Sequence, residues 1–177
     1  MNDLKNQPAP LMQLAEELVG ISLLENGTIN PFFLLAREKE AYQIPVNFST
    51  DEQYRFTSVK IAAILQSQGC DHYTFATRIQ FKAQAGDKEV MKQQALILFA
   101  EKKTGDDFSC YAKLYNLKLN QELGRPQLDF QQKLEDFDGQ FSNLFDSPPI
   151  PEDLIEQLTT NIEQYIYKSE GRDNTVH

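Results

Sequence analysis

Glycine, cysteine, histidine and long apolar runs are all scarce in this 177-residue chain, and each scarcity removes a class of function. The eight glycines are scattered, so neither G-x-G-x-x-G nor G-x-x-x-x-G-K-[ST] occurs, and nucleotide-binding classes lose most of their support. The nucleophile elbow G-x-S-x-G, the zinc motif H-E-x-x-H and the redox motif C-x-x-C are missing as well. Two cysteines, Cys70 and Cys110, permit one bridge at most, unlike a disulfide-stapled secreted domain. Apolar runs such as Ala95 to Ala100 fall far short of the roughly 18 residues of a spanning helix. The segment Met1 to Pro8 lacks the basic-then-apolar pattern of a signal peptide. A cytoplasmic protein with both thiols reduced is expected. Basic residues are outnumbered 17 to 26, for a formal net charge of −9. Nucleic acid and anionic membrane are therefore disfavoured as partners, because both are bound through Lys and Arg.

What is present is an ordinary globular composition: 41% hydrophobic, 24% charged, twelve Phe and seven Tyr. One domain spanning 1–169 is expected, with a disordered tail over 170–177. Leu11, Leu14, Leu18 and Ile21 recur at helical spacing after Pro8 and Pro10, and Gly20 with Glu25-Asn26-Gly27 should close that helix. Residues 29–36 and 41–48 read as a β-hairpin around the charged tip Arg37 to Glu40, with Pro31 and Pro45 confining it to an edge. Ser49 with Glu52 and Thr50 with Gln53 form overlapping capping boxes before a helix running to about Gln68. Its apolar face is expected to include Phe56, Val59, Ile61, Ala63, Ile64 and Leu65, and Gly69 should end it.

From His72 to Lys82, Tyr73, Phe75, Thr77, Ile79 and Phe81 alternate with polar or small residues. Val90 to Lys102 and Phe108 to Leu119 follow as strands two and three of an antiparallel meander. Residues 127–146 read as an irregular, aromatic-anchored cover. Pro148 to Pro151 form a stiff connector to a last helix striped with Leu154, Leu158, Ile162, Tyr165 and Ile166. The fold class is thus α+β: a twisted antiparallel sheet, hairpin plus three-stranded meander, with helices on one face, in the order α-β-β-α-β-β-β-(cover)-α.

This order, with the opening Gly27-Thr28-Ile29-Asn30-Pro31-Phe32-Phe33-Leu34-Leu35, resembles several small uncharacterised bacterial α+β families over about residues 8–119. Some immunity and accessory proteins share a similar element order. The resemblance implies a binding role and transfers no catalytic residue.

Among candidate sites, Cys70-Asp71-His72 places a thiol and an imidazole two residues apart, and a neighbouring His can activate a thiolate. The competing reading is a packed Cys beside a partly exposed His. Cys70, His72 and Cys110 are too few for a metal site, and His177 lies in the tail. No metal or other cofactor is expected. The carboxylate pairs Glu16 and Glu17, and Asp106 and Asp107, read as solvated surface. Glu135, Asp136 and Asp138 with Phe137 and Phe141 read as an acidic, aromatic patch for a partner. Tyr111, Tyr115, Leu117 and Leu119 on one face of the third meander strand, and Phe108, Cys110, Ala112 and Leu114 on the other, require cover on both sides. The expected function is non-enzymatic binding of a macromolecule through the sheet face or the 130–145 segment, in its sharpest form an immunity or inhibitor protein for a basic partner. The chain is expected to be a monomer or homodimer. The alternative is a small-molecule binder or Cys-dependent enzyme with a pocket between sheet and helices, using Cys70 and His72.

Overall fold

A computed structural model describes residues 9–38, 40–47, 49–105 and 107–167. The chain runs α1 (Ala9–Asn26), β1 (Phe32–Arg37), β2 (Glu40–Pro45), α2 (Asp51–Gln68), β3 (His72–Ala85), β4 (Lys88–Lys102), β5 (Phe108–Asn120), β6 (Arg125–Leu134) and α3 (Glu152–Leu158), with short 3-10 turns at Leu144–Asp146 and Ile162–Tyr165. The strands form one antiparallel sheet in the order β2-β1-β3-β4-β5-β6. The tail expected at 170–177 lies outside the described residues.

The α+β class and the antiparallel sheet follow the sequence pattern. The last helix, however, stops at Leu158, so Ile162, Tyr165 and Ile166 lie beyond it, past a left-handed Asn161, in a 3-10 turn and a bridge to Tyr42. Three further details differ. First, the helices divide between the two faces of the sheet instead of sharing one. Phe33 and Leu35 of β1 pack with Ile61, Ile64 and Leu65 of α2, whereas Phe32 and Leu34 pack with Met12, Ala15, Val19 and Leu23 of α1. Burial on both sides explains why Phe32 to Leu35 is apolar without alternation. Second, residues 125–134 form a sixth strand where irregular cover was expected. Exposed almost throughout, this edge strand shows little apolar alternation, and a register shift opposite Leu114/Tyr115 breaks what there is. Third, the α1 stripe is rotated: Leu14 and Leu18 are only half-buried and Ile21 is exposed, and the helix continues through Gly20. Phe56 and Val59 of α2 likewise face outward.

Of the two capping boxes expected, Thr50 with Gln53 provides the N-cap, while the Gln53 side chain turns to Ser49 and α2 begins after Thr50 and not after Ser49. The Thr50 hydroxyl accepts from the Gln53 backbone N–H at 3.1 Å, and the Gln53 side chain reaches back to the Ser49 N–H at 2.7 Å. Gly69 closes α2 in the left-handed conformation, φ +63°, which a residue without Cβ adopts at little cost. Both outer edges of the sheet are blunted. Tyr42 of β2 pairs with Ile166, and the Tyr167 N–H donates to the Ala41 carbonyl. On β6, Pro126 removes a donor, the bulge twists the edge and Lys133 adds charge.

The segment after β6 is fastened through Tyr73. Its buried hydroxyl donates to the Phe141 carbonyl at 2.6 Å and accepts from the Leu144 N–H at 3.2 Å. Replacing Tyr73 by Phe leaves both backbone groups without that partner, and urea denaturation should report a loss of about 1–3 kcal/mol. A change within experimental error would mean that the segment is held by ring packing alone.

Candidate functional site

The Cys70-Asp71-His72 run is divided by the sheet. Cys70 precedes β3, so the rule that residues two apart share a strand face does not reach it. Its thiol packs into the α2-side core, with Gly69 and Leu65 setting its backbone. His72 opens β3 on the other side, its ring 5.8 Å from that of Phe99 in the α1-side core. There Nδ1 lies 2.7 Å from Asp71 Oδ1 and Nε2 3.5 Å from Glu101 Oε1. Burial, with the Asp71 carboxylate adding to it, pushes the Cys70 thiol up to about 12. Burial alone does the same to Cys110. At neutral pH both thiols keep their protons, which is the opposite of nucleophile activation. Among the described residues, no three of His, Cys, Asp and Glu converge as a metal ion would require.

The 135–141 segment also departs from expectation. Glu135, Asp136 and Asp138 are exposed, but the aromatic rings meant to accompany them turn inward. Phe141 is 1% exposed, its ring centroid 4.6–5.0 Å from those of Tyr54, Phe75 and Phe33. It is a core residue and a correction to its reading as a contact. Phe137 is half-buried against the same core, with its N–H donating to the Cys110 carbonyl at 2.9 Å. Gly139 lies so close to the Phe137 ring that a Cβ there would stand 2.5 Å from Cζ. The acidic groups are also partly engaged, since Glu135 meets Lys133 Nζ at 3.0 Å.

Exposed apolar surface gathers elsewhere. Nine large apolar side chains are exposed among the described residues, and six of them, Ile21, Leu24, Met91, Leu119, Leu123 and Phe130, belong to the α1 side. Strand alternation places Met91 on the face of Ile97 and Phe99, and Leu119 on that of Tyr115, both faces packed with α1. Between α1 and the β5–β6 turn runs an open groove of about 370 Å³, walled by Gly20 and Leu24 on one side and by Leu123, Pro126 and Leu128 on the other, with Glu16 and Glu17 at its rim. Glu16 reaches Lys113 Nζ at 3.6 Å, and Lys113 in turn lies over the Phe130 ring. The Tyr115 hydroxyl beside them is raised in pKa by burial and by Glu16.

The sheet is also split at this end. β4 and β5 pair only from Gln94–Asn116 to Lys102–Phe108, whereas the β3–β4 ladder continues to Ala85–Lys88 and the β5–β6 ladder to Asn120–Arg125. Past a side-chain bond from Gln94 Nε2 to Asn116 Oδ1 at 2.9 Å, the two hairpins extend as separate prongs. The sequence indicated an apolar β5 face with Leu119 but neither this groove nor the split of the sheet. Met91 and Leu119 were visible as apolar residues in polar stretches, but the register that relates them was not.

Comparison with protein-family models, with curated proteins and with solved structures finds no match to this chain, so the chemistry of the site is read from its own geometry.

Proposed function

We propose that this chain is a protein-binding module whose contact surface is the α1 side of the forked end of the sheet. The observation that carries this reading is that six of the nine large apolar side chains exposed among the described residues lie on the α1 side, Met91, Leu119 and Leu123 of them on the prongs. Exposed large apolar residues concentrated on one side of a sheet, two of them, Leu24 and Leu123, walling a groove, favour an interaction site. The two core layers supply a rigid platform, since the facing residues of α1, β1, β3 and β4 are closely packed. The surface is apolar with a polar rim, the composition expected at the centre of an interface. The proposed contact therefore lies at the fork end and not on the acidic 135–138 segment.

The test is affinity capture of interacting proteins with the parent chain, with Ile21→Glu/Leu24→Glu, and with Phe56→Glu as a control outside the patch. The α1 pair should lose its specific partners, by tenfold or more as a rough expectation for charges buried in an apolar contact, while the control keeps them. Equal capture by all three chains overturns the assignment of the surface. Sedimentation of the parent chain across concentration shows in parallel whether the partner is a second copy.

A further inference from the structure

We infer that the fork between the β3–β4 and β5–β6 hairpins takes an extended segment of a partner protein, one in which apolar and acidic residues alternate. This rests on the reading of the chain as a protein-binding module and names what the module recognises.

The inference starts from the register. Continuing the β4–β5 ladder past Gln94–Asn116 would set Met91 opposite Leu119 and Lys92 opposite Lys118. Like charges directly opposite one another in an antiparallel pair are destabilising. This repulsion acts with the stronger twist of two-stranded ribbons to keep the prongs from closing. Residues 88–93 of β4 and 117–120 of β5 consequently have no ladder partner among the described residues on the sides that face each other. Backbone donors and acceptors along such edges are the template that strand addition uses, with alternate side chains providing specificity. The outer edges are blunted by Pro126, the β6 bulge, Lys133 and the Tyr42–Ile166 pair, whereas the fork carries no such device beyond its lysines.

Charge sets the alternation. Lys88, Lys92 and Lys118 are exposed on the α2 side of the prongs, and none has an ion-pair partner among the described residues. The α2 side of the prongs carries these three lysines, Glu89 projecting from the other face of β4, although the whole chain carries −9. Met91 and Leu119, 58% and 60% exposed, occupy the α1 side. A strand lying in the fork would place one side chain between Lys92 and Lys118 and the next between Met91 and Leu119. A carboxylate relieves the repulsion at the first position, and an aliphatic residue covers the apolar pair at the second.

The probe is an alternating Val-Glu octapeptide, with an octapeptide of identical composition in two blocks, four Val then four Glu, as control. Amide hydrogen exchange is followed residue by residue. At saturation the alternating peptide should slow exchange of alternate amides within 88–93 or 117–120 by about tenfold or more, because a newly paired amide exchanges only when its bond opens. Lys92→Glu/Lys118→Glu, whose fold is checked by circular dichroism, should lose this protection and gain it with an alternating Val-Lys octapeptide. The proposal is overturned by no protection at saturating peptide, by equal protection from the block peptide, by protection confined to the outer edge of β6, or by a stable dimer in which these amides are already protected. Loss of partners in Ile21→Glu/Leu24→Glu without peptide protection of the fork would overturn this inference while leaving the surface reading standing. Protection of the fork with partners retained would do the reverse.

Discussion

Phe141→Ala should lower the stability of the fold by about 3–5 kcal/mol, the cost of removing a fully buried aromatic ring. The ring stacks edge-on to Phe33 and Phe75 and against Tyr54, so its removal opens a cavity between the sheet and α2. Phe141 also holds a left-handed backbone, φ +64°, which costs a non-glycine residue about 1–2 kcal/mol. Burying such a ring contributes about 1.5–3 kcal/mol before its aromatic contacts are added, so packing outweighs the strain. Against a whole-domain stability of about 5–15 kcal/mol, the loss should lower the melting temperature by about 10 °C. Phe56→Ala, at a position 58% exposed, is the contrasting substitution and should stay within about 0.5 kcal/mol. Urea unfolding followed by circular dichroism measures both. A loss below about 1 kcal/mol for Phe141→Ala would place the ring outside the core and restore its reading as a contact residue.

Alkylation of the two cysteines should be suppressed in the folded chain to a comparable extent. Raising a thiol from an ordinary value of 9.0 to about 12 lowers its thiolate fraction at neutral pH about a thousandfold, and burial restricts the reagent further. Iodoacetamide at pH 8 should label neither Cys70 nor Cys110 until urea unfolds the protein. His72→Ala should leave the rate unchanged, because the imidazole nitrogens face Asp71 and Glu101. Rapid labelling at pH 8 that falls in His72→Ala would instead establish a working thiol–imidazole pair and revive the enzyme reading.

The same burial governs stability in alkali. Between about pH 9 and pH 12 the unfolded chain ionises its thiols while the folded chain does not, so the unfolded state binds fewer protons and stability falls as pH rises. The contribution is fully present below pH 9 and declines above it by about 1.4 kcal/mol per pH unit for each thiol. Tyr73 and Tyr115, raised by burial, act in the same direction from about pH 10 upward. Cys70→Ala should therefore make the pH dependence of urea midpoints between pH 9 and pH 11 shallower. An identical slope would show that the thiol ionises freely in the fold.

What the sequence determined by itself was set by interactions between residues close in the chain. The caps at Thr50 and Gly69, the charged tip between β1 and β2, and the alternation of His72 to Lys82 each depend on a few neighbours, and each defines an element. The antiparallel α+β class follows from their order. The tertiary structure alone decided what depends on pairing across distance. Edge strand β6 needs no apolar face, so Arg125 to Leu134 carries little strand signal until β5 is beside it. Thr74 and Ala76 are buried because α1 crosses the face they share, which no local pattern records. Phe137 and Phe141 look like partners of the neighbouring carboxylates in the sequence, yet the Tyr73 anchor turns that segment so that its rings join the core. Lys92 and Lys118 stand far apart in the chain, and only the β4–β5 register, continued past Gln94–Asn116, would set them opposite each other. Short-range chemistry specifies elements, whereas faces, edges and registers are fixed by the burial and ladder bonding of the whole sheet.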